Sequence, residues 1–241
     1  MSPTRRTRRA LIALAASAVV LSLLAVGGYA LMNSRTAQVA GRLVDRVETA
    51  EKVVALTFDD GPTAADTDAI LWLLAQRGVP ATFYVNGGVA AANPGQLERL
   101  VAAGHELGNH TQDHKRLIFV TPDGVAAQVE PTDAAIRAAG YDGPITFRPP
   151  NAKKLVVAPV WLAQHDRTTV MWDVEAEDFG GGPPQPASDI AERVLAQVRP
   201  GSIVLLHPWN GRAATQEATG EVIDELRRRG YRFVTVSELI G

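Results

Sequence analysis

Residues 53–62 read Val-Val-Ala-Leu-Thr-Phe-Asp-Asp-Gly-Pro. The run Val53 to Phe58 lacks the polar-apolar alternation of a half-exposed strand, so it reads as a strand covered on both faces, the kind found in parallel sheets. Similar runs follow: ATFYV at 81–85, HELGNH at 105–110, PITFR at 144–148, TTVMWDV at 168–174, SIVLLH at 202–207 and YRFVTV at 231–236. Segments of helical period separate most of them, and Gly78, Gly104, Gly140 and Gly230 each fall where a helix needs a left-handed C-terminal cap. Asp189 and Glu192, spaced as a capping box, open the helix leading to Val198. This is a β/α repeat. About seven units in under 200 residues favour a small or incomplete (β/α) barrel, with a doubly wound open sheet as the competing topology. In both, functional residues gather at the carboxyl edge of the sheet.

The chain has 241 residues, 46% of them hydrophobic, 21% charged and none cysteine. Without cysteine there is no disulfide, thiolate metal site or thiol nucleophile, so a metal must be held by histidine and carboxylate. Residues 1–52 carry eight Lys/Arg against three Asp/Glu, which leaves residues 53–241 at a net −7 and gives no support to nucleic-acid binding by the main domain. Arg5, Arg6, Arg8 and Arg9 form a basic cytoplasmic segment over 1–9 ahead of an uncharged, mostly apolar stretch over 10–32, long enough to cross a bilayer as a helix. The stretch is longer than the apolar region of a usual cleaved signal, which favours a retained anchor with the rest of the chain outside; cleavage instead releases a secreted protein. Residues 33–52 are polar and read as a linker, and 53–241 as the catalytic domain. A Gly/Pro-rich loop, GGGPPQP, spans 180–186.

Adjacent carboxylates at Asp59 and Asp60, at the end of a buried strand, need a cation, donors or water, although Asp-Asp-Gly-Pro is also good turn chemistry. His110 and His114 in HTQDH are four apart, which on a helical turn puts both rings on one face to share an ion; two surface histidines are the alternative. With Asp60 or Asp59 as third ligand they make a zinc-type site with a position left for water. His207, after the strand SIVLL, suits a general acid or base. Arg148 ends PITFR and can hold a carboxylate ionised, and one of Asp173, Glu175, Glu177 and Asp178 can orient a histidine. His105, in a strand, and His165, at a charged helix end, read as structural. Trp72 and Trp161 read as core, whereas Trp172 and Trp209 are candidates for an aromatic platform under a sugar ring.

TFDDGP at 57–62, HTQDH at 110–114, RPP at 148–150, DVEAEDF at 173–179 and LLH at 205–207 resemble, in order, the five motifs of the polysaccharide deacetylase or NodB-homology family, of carbohydrate esterase type. The resemblance covers about residues 53–240. It implies a distorted, incomplete (β/α)7-type barrel and a divalent ion, usually Zn2+, on Asp60, His110 and His114. It makes Asp59 the general base toward water activated by the ion, Arg148 its orienting partner, His207 the general acid and Asp178 the partner that orients and charges His207. A backbone N–H after the third motif, at Asn151, joins the ion in stabilising the oxyanion. Two departures concern the pocket: Asn151-Ala152 replaces an aromatic and a glycine, and Phe179 replaces a tryptophan. The implied activity is removal of N-acetyl groups from an extracellular polysaccharide, peptidoglycan or a chitin-like oligosaccharide. A carbohydrate O-acetyl esterase and an inactive carbohydrate-binding module are the competing readings.

Overall fold

The computed structural model describes residues 5–179 and 185–241, so most of the Gly/Pro-rich loop lies outside the described residues. Helix α1, Arg5–Asn33, leads to a short strand β1, Leu43–Val44. Then follow β2, Val53–Asp59; α2, Ala64–Arg77; β3, Thr82–Val85; α3, Gly87–Ala92; α4, Gln96–Ala102; and β4, Glu106–Asn109. The second half contains α5, Pro122–Ala138; α6, Val157–Gln164; β5, Thr169–Val170; and β6, Val174–Glu175. It ends with α7, Ala187–Gln197; β7, Ser202–Leu206; α8, Ala213–Arg228; β8, Arg232–Val234; and α9, Val236–Ile240.

The expected parallel sheet is present, in the order β4-β3-β2-β7-β6, with β8 also on β2. Strand β2 is its centre. Residues 54–58 pair with β7, while the other edge takes β8 along Val53–Ala55 and β3 along Thr57–Asp59. Beyond β4, among the described residues, the sheet continues only as single bridges, Asn109 to Phe147 and Phe147 to Thr169, before β5 pairs with β1. PITFR therefore forms no strand of its own: Pro144, Pro149 and Pro150 bracket it without amide protons, so the ladder cannot lengthen around Phe147. TTVMWDV is split in the same region, its first part pairing as β5 and its last as β6. The result is a curled, incomplete barrel with no closed hydrogen-bonded ring among the described residues.

Period-2 geometry decides what each strand aims at the site. Val54, Leu56 and Phe58 pack outward against a core that includes Ile70, Leu74, Val194 and Val222, residues of α2, α7 and α8. Val53 and Ala55 face the interior with Tyr84, Ile203 and Leu205, and Thr57 and Asp59 continue their phase. In β7, His207 is in phase with Ile203 and Leu205. In β4, His110 is in phase with Glu106 and Gly108, and Gly108 leaves room for the Tyr84 ring, which a Cβ would meet at 2.4 Å.

Several local expectations meet a different outcome. Helix α7 starts at Ala187 with Pro186 as cap and no side-chain cap bond, so Asp189 sits inside the first turn, favourable to the helix dipole but no N-cap. Trp72 is 65% exposed, on the outer face of α2, whereas Trp161 is buried and stacks on His165. His105 is buried just ahead of β4, where desolvation lowers its pKa to about 4 and keeps it neutral.

The segment over 33–52 does not behave as a free linker. Strand β1 pairs with β5, Met171 donates its N–H to Val44 O at 2.7 Å, and Val47 donates to Gly201 O at 3.0 Å. Its polar composition serves hydrogen bonds to the domain, for example Arg46 Nη1 to Pro200 O at 2.9 Å. Gly201 has φ 79° and a Cβ there would fall 1.8 Å from Val47 O. Replacing Gly201 by alanine should thus cost more than about 1 kcal/mol, measured by urea denaturation. An unchanged midpoint would mean that the 33–52 segment contributes nothing to the folded domain.

Candidate metal centre and active site

Asp59 ends β2 and is buried, and Arg148 holds it. Arg148 is 0% exposed, and its Nη1 donates to Asp59 Oδ1 and to Thr57 Oγ1, each at 2.7 Å. Its Nε donates to Val170 O at 3.2 Å and its Nη2 to Met171 O at 3.0 Å, while the guanidinium lies 4.0 Å from the Tyr84 ring centroid. Burial pushes the Asp59 carboxyl above its ordinary value, against the opposing pull of Arg148, His207 and His114.

Asp60 leaves the strand with φ 76°, and its carboxylate faces both histidines. Its Oδ1 lies 3.1 Å from His114 Nε2 and 3.5 Å from His110 Nε2, and His110 Nε2 is 3.6 Å from Asp59 Oδ2. Contrary to the helical spacing argument, HTQDH is an irregular loop in which Thr111 has φ 70° and His114 φ 54°. For β-branched Thr111 that geometry is costly and requires outside support. Asn109 Oδ1 accepts from Thr111 N, and Asn86 Nδ2 donates to the carbonyls of His110 and Thr111. Pro131 interrupts α5 beside the loop, and the neighbouring carbonyls of Gln128 and Val129 take the Gln112 amide and Asn109 Nδ2. Asn86 and Asn109 carry no ligand or acid-base pattern in the sequence, yet each stands at the carboxyl end of a strand, where Asp59 also stands.

The donor set fits a divalent cation. Asp60 Oδ1 is buried with no hydrogen-bond partner, and one ligand atom from each of Asp60, His110 and His114 lies within 4.8 Å of the others. The Arg148 carbonyl accepts from His110 Nδ1 at 2.8 Å, which leaves Nε2 as the ligating nitrogen. Burial also lowers the His110 pKa to about 3, so the ring is neutral, as a ligand must be.

On the opposite side His207 is clamped by Asp178, which accepts from the ring Nδ1 at 2.9 Å and from the His207 backbone N–H at 2.6 Å. Burial opposes charge on His207, but the Asp178 hydrogen bond and charge, with the charges of Asp59 and Asp60, outweigh it and raise its pKa above the usual histidine value. Asp59, Asp60, His110, His114 and His207 line one cleft with Asn151, Trp172, Glu175, Leu205 and Phe179. Its volume is about 150 Å³, comparable to a cavity that holds benzene, so it admits a small substituent while the rest of a large ligand stays outside.

The remaining candidates separate. Asn151 reaches the cleft at φ 53°, a region asparagine tolerates, but its Oδ1 turns to Arg116 Nε at 3.0 Å. Phe179 is half-exposed, 5.0 Å from the His207 ring. Trp209 does not reach the cleft: it is 1% exposed, lies 6.0 Å from Phe83 and packs so tightly on Gly61 that a Cβ there would come within 2.2 Å of its ring. The aromatic lining of the cleft is Trp172 and Phe179.

The family model described as polysaccharide deacetylase matches residues 46–168, just over half of the chain. The chain belongs to the polysaccharide deacetylase family. It is 35% identical over 189 residues to a peptidoglycan-N-acetylglucosamine deacetylase of Bacillus cereus, covering 77% of this chain and 67% of that protein. It is 38% identical over 176 residues to a chitooligosaccharide deacetylase of Sinorhizobium fredii, covering 69% and 76%. Against the Listeria monocytogenes peptidoglycan-N-acetylglucosamine deacetylase PgdA it is 35% identical over 79% of its own length, but spans only 39% of that relative. The solved Bc1960 peptidoglycan N-acetylglucosamine deacetylase superposes with a TM-score of 0.76 at 31% identity, over 81% of this chain and 91% of that one. BA3943, a CE4 family pseudoenzyme from Bacillus anthracis, superposes with a TM-score of 0.74 at 27% identity, over 82% and 68%. Membership of this deacetylase family therefore does not by itself guarantee turnover, and activity has to be argued from the cleft.

Arg148→Met removes the only cation within hydrogen-bonding reach of buried Asp59 among the described residues. It should cost about 3–5 kcal/mol in denaturant unfolding. A loss under about 1 kcal/mol would show that Asp59 is not held as an ion by this pair.

Proposed function

We propose that this polysaccharide deacetylase homologue is a metal-dependent hydrolase that removes N-acetyl groups from amino sugars of an extracellular polysaccharide, with peptidoglycan first and chitin-like oligosaccharide second. One observation carries the reading: Asp59 and His207, each with one side-chain atom committed to a charged partner and the other left free, face the same cleft as the Asp60, His110 and His114 cluster. Those three residues would hold the ion, with zinc matching a two-histidine, one-carboxylate donor set. When bound, such an ion acidifies water toward neutrality and polarises a carbonyl oxygen.

Asp59 Oδ1 is committed to Arg148, which leaves Oδ2 to accept a proton from the attacking water. His207 Nδ1 is committed to Asp178, which leaves Nε2 to give a proton to the departing nitrogen. The raised pKa favours the form that carries this proton. This favours an amide over an ester, because an amide nitrogen has to be protonated before it can leave. Asn151 offers its backbone N–H to the developing oxyanion from the cleft wall. Location supports peptidoglycan: α1 contains a span, Leu11–Asn33, apolar and long enough to cross a membrane, and the arginines before it favour a domain facing outward.

The test is acetate release from an N-acetylglucosamine pentamer by the full chain in detergent with added Zn2+. Asp59→Asn should keep the bound metal, assayed by elemental analysis, and lose roughly 10²–10⁴-fold in kcat. His110→Ala should lose metal and activity together. Full activity in Asp59→Asn would remove it as the base. Acetate from O-acetylated glycan alone would make the chain an esterase, and sugar binding without release from either would make it a binding module.

A pH profile tests His207 separately. Activity needs its protonated form, so the alkaline limb should fall as pH rises through a His207 pKa above the ordinary histidine value. Asp178→Asn removes the raising partner and should move that limb to lower pH, while an unmoved limb would dismiss His207 as the acid.

A further inference from the structure

Residues 11–27 of α1 are exposed, but Leu31–Arg35 are half-buried against the domain. The contacts gather at one edge of the cleft. Arg35 Nη1 pairs with Glu175 Oε2 at 3.0 Å, and its guanidinium lies 5.5 Å from the Trp172 ring centroid. Arg148 lies 5.5 Å from the same ring, so Trp172 is flanked by the cation that orients Asp59 and by one that follows the apolar helix. Lys154, 1% exposed, donates from Nζ to Ser34 O at 2.6 Å, and Lys153 Nζ donates to Asn33 Oδ1. A buried ammonium is costly unless its donors are used, and the carbonyl it meets lies at the C-terminal end of α1, where a cation is favoured. Ser34 tightens the turn by accepting from Thr36 N and Ala37 N through its hydroxyl.

Glu175, Trp172 and Asn151 line the cleft, and Lys153 and Lys154 follow Asn151. The span ends at Asn33, and two residues reach at most about 7 Å, so Arg35 cannot stand far from the membrane surface. We propose that residues 33–37 brace the edge of the substrate cleft formed by Glu175 and Trp172, fixed by Arg35, which holds the cleft at the membrane face and directs it to N-acetylated glycan carried on a membrane lipid. Arg35 is thus a positioning residue. The choice of substrate rests on the deacetylase reading; the placement of the cleft does not.

The chain contains no cysteine, so single cysteines label cleanly. Full-length protein in phosphatidylcholine/phosphatidylglycerol vesicles carries a donor dye at Phe179→Cys, on the cleft, or at Glu51→Cys, beside the amino end of β2, with acceptor dye on the lipid headgroups. Energy transfer from position 179 should exceed that from 51 at least twofold. Equal or reversed transfer, or loss of residues before Arg35 by processing, overturns the placement. On an N-acetylglucosamine pentamer, Arg35→Glu should raise KM about fivefold with kcat within twofold, and Arg35→Lys should restore KM. An unchanged KM in Arg35→Glu overturns the brace. In the same vesicles, kcat/KM on a lipid-linked pentamer should exceed that on the free pentamer at least tenfold, and equal values overturn the substrate assignment. A wild-type chain that releases no acetate from either refutes the deacetylase reading, while the energy-transfer comparison still decides the placement.

Discussion

The structure is organised around one buried cation. Arg148 has no exposed surface, and Thr57, Asp59, Val170 and Met171 take its donors while Tyr84 covers its face. A guanidinium in the interior of a small barrel is tolerable only when its donors are placed, and its planar fork can bridge three segments at once. It ties β2 to the 169–175 stretch at a point where the ladder itself has thinned to single bridges. The carbonyl of the same residue fixes the ring of His110. One side chain and its own backbone thereby orient both a proposed base and a proposed metal ligand.

Burial grades the cluster. Asp59 and His110 are almost fully enclosed, whereas Asp60 and His114 retain about a third of their side-chain exposure. Two carboxylates so close cannot both be comfortable as ions without a positive partner each. Asp59 has Arg148, and Asp60 faces two imidazole nitrogens with an unpartnered oxygen. Across the cleft, Asp178 accepts from the His207 ring and raises its pKa. The second residue each side chain meets, Arg148 for Asp59 and Asp178 for His207, fixes which of its atoms is left toward the cleft.

The N-terminal segment ties the membrane question to the cleft. Composition marks residues 10–32 as an apolar span and 33–52 as polar, which from sequence alone reads as anchor and tether. Folded, the polar stretch supplies a strand, a bridge to β7 and a turn seated against Lys153, Lys154 and Glu175. Polar side chains that satisfy buried donors and acceptors look the same in composition as side chains that face water.

The sequence by itself determined the parallel sheet, because unalternated apolar runs have to be covered on both faces. It also determined where three candidate residues stand, because Asp59, His110 and His207 each fall in the inward phase at a strand's carboxyl end. Tertiary structure decided the rest. HTQDH became a loop with two left-handed residues because Asn86, Asn109 and the carbonyls beside Pro131 support it, partners remote in sequence from the histidines. Trp172 became the cleft wall and Trp209 a core residue, because that depends on which ring Gly61 and Phe83 accept and which Arg35 and Arg148 flank. Local pattern specifies a residue's phase on its own strand, and only the packing of distant segments specifies what that side chain meets.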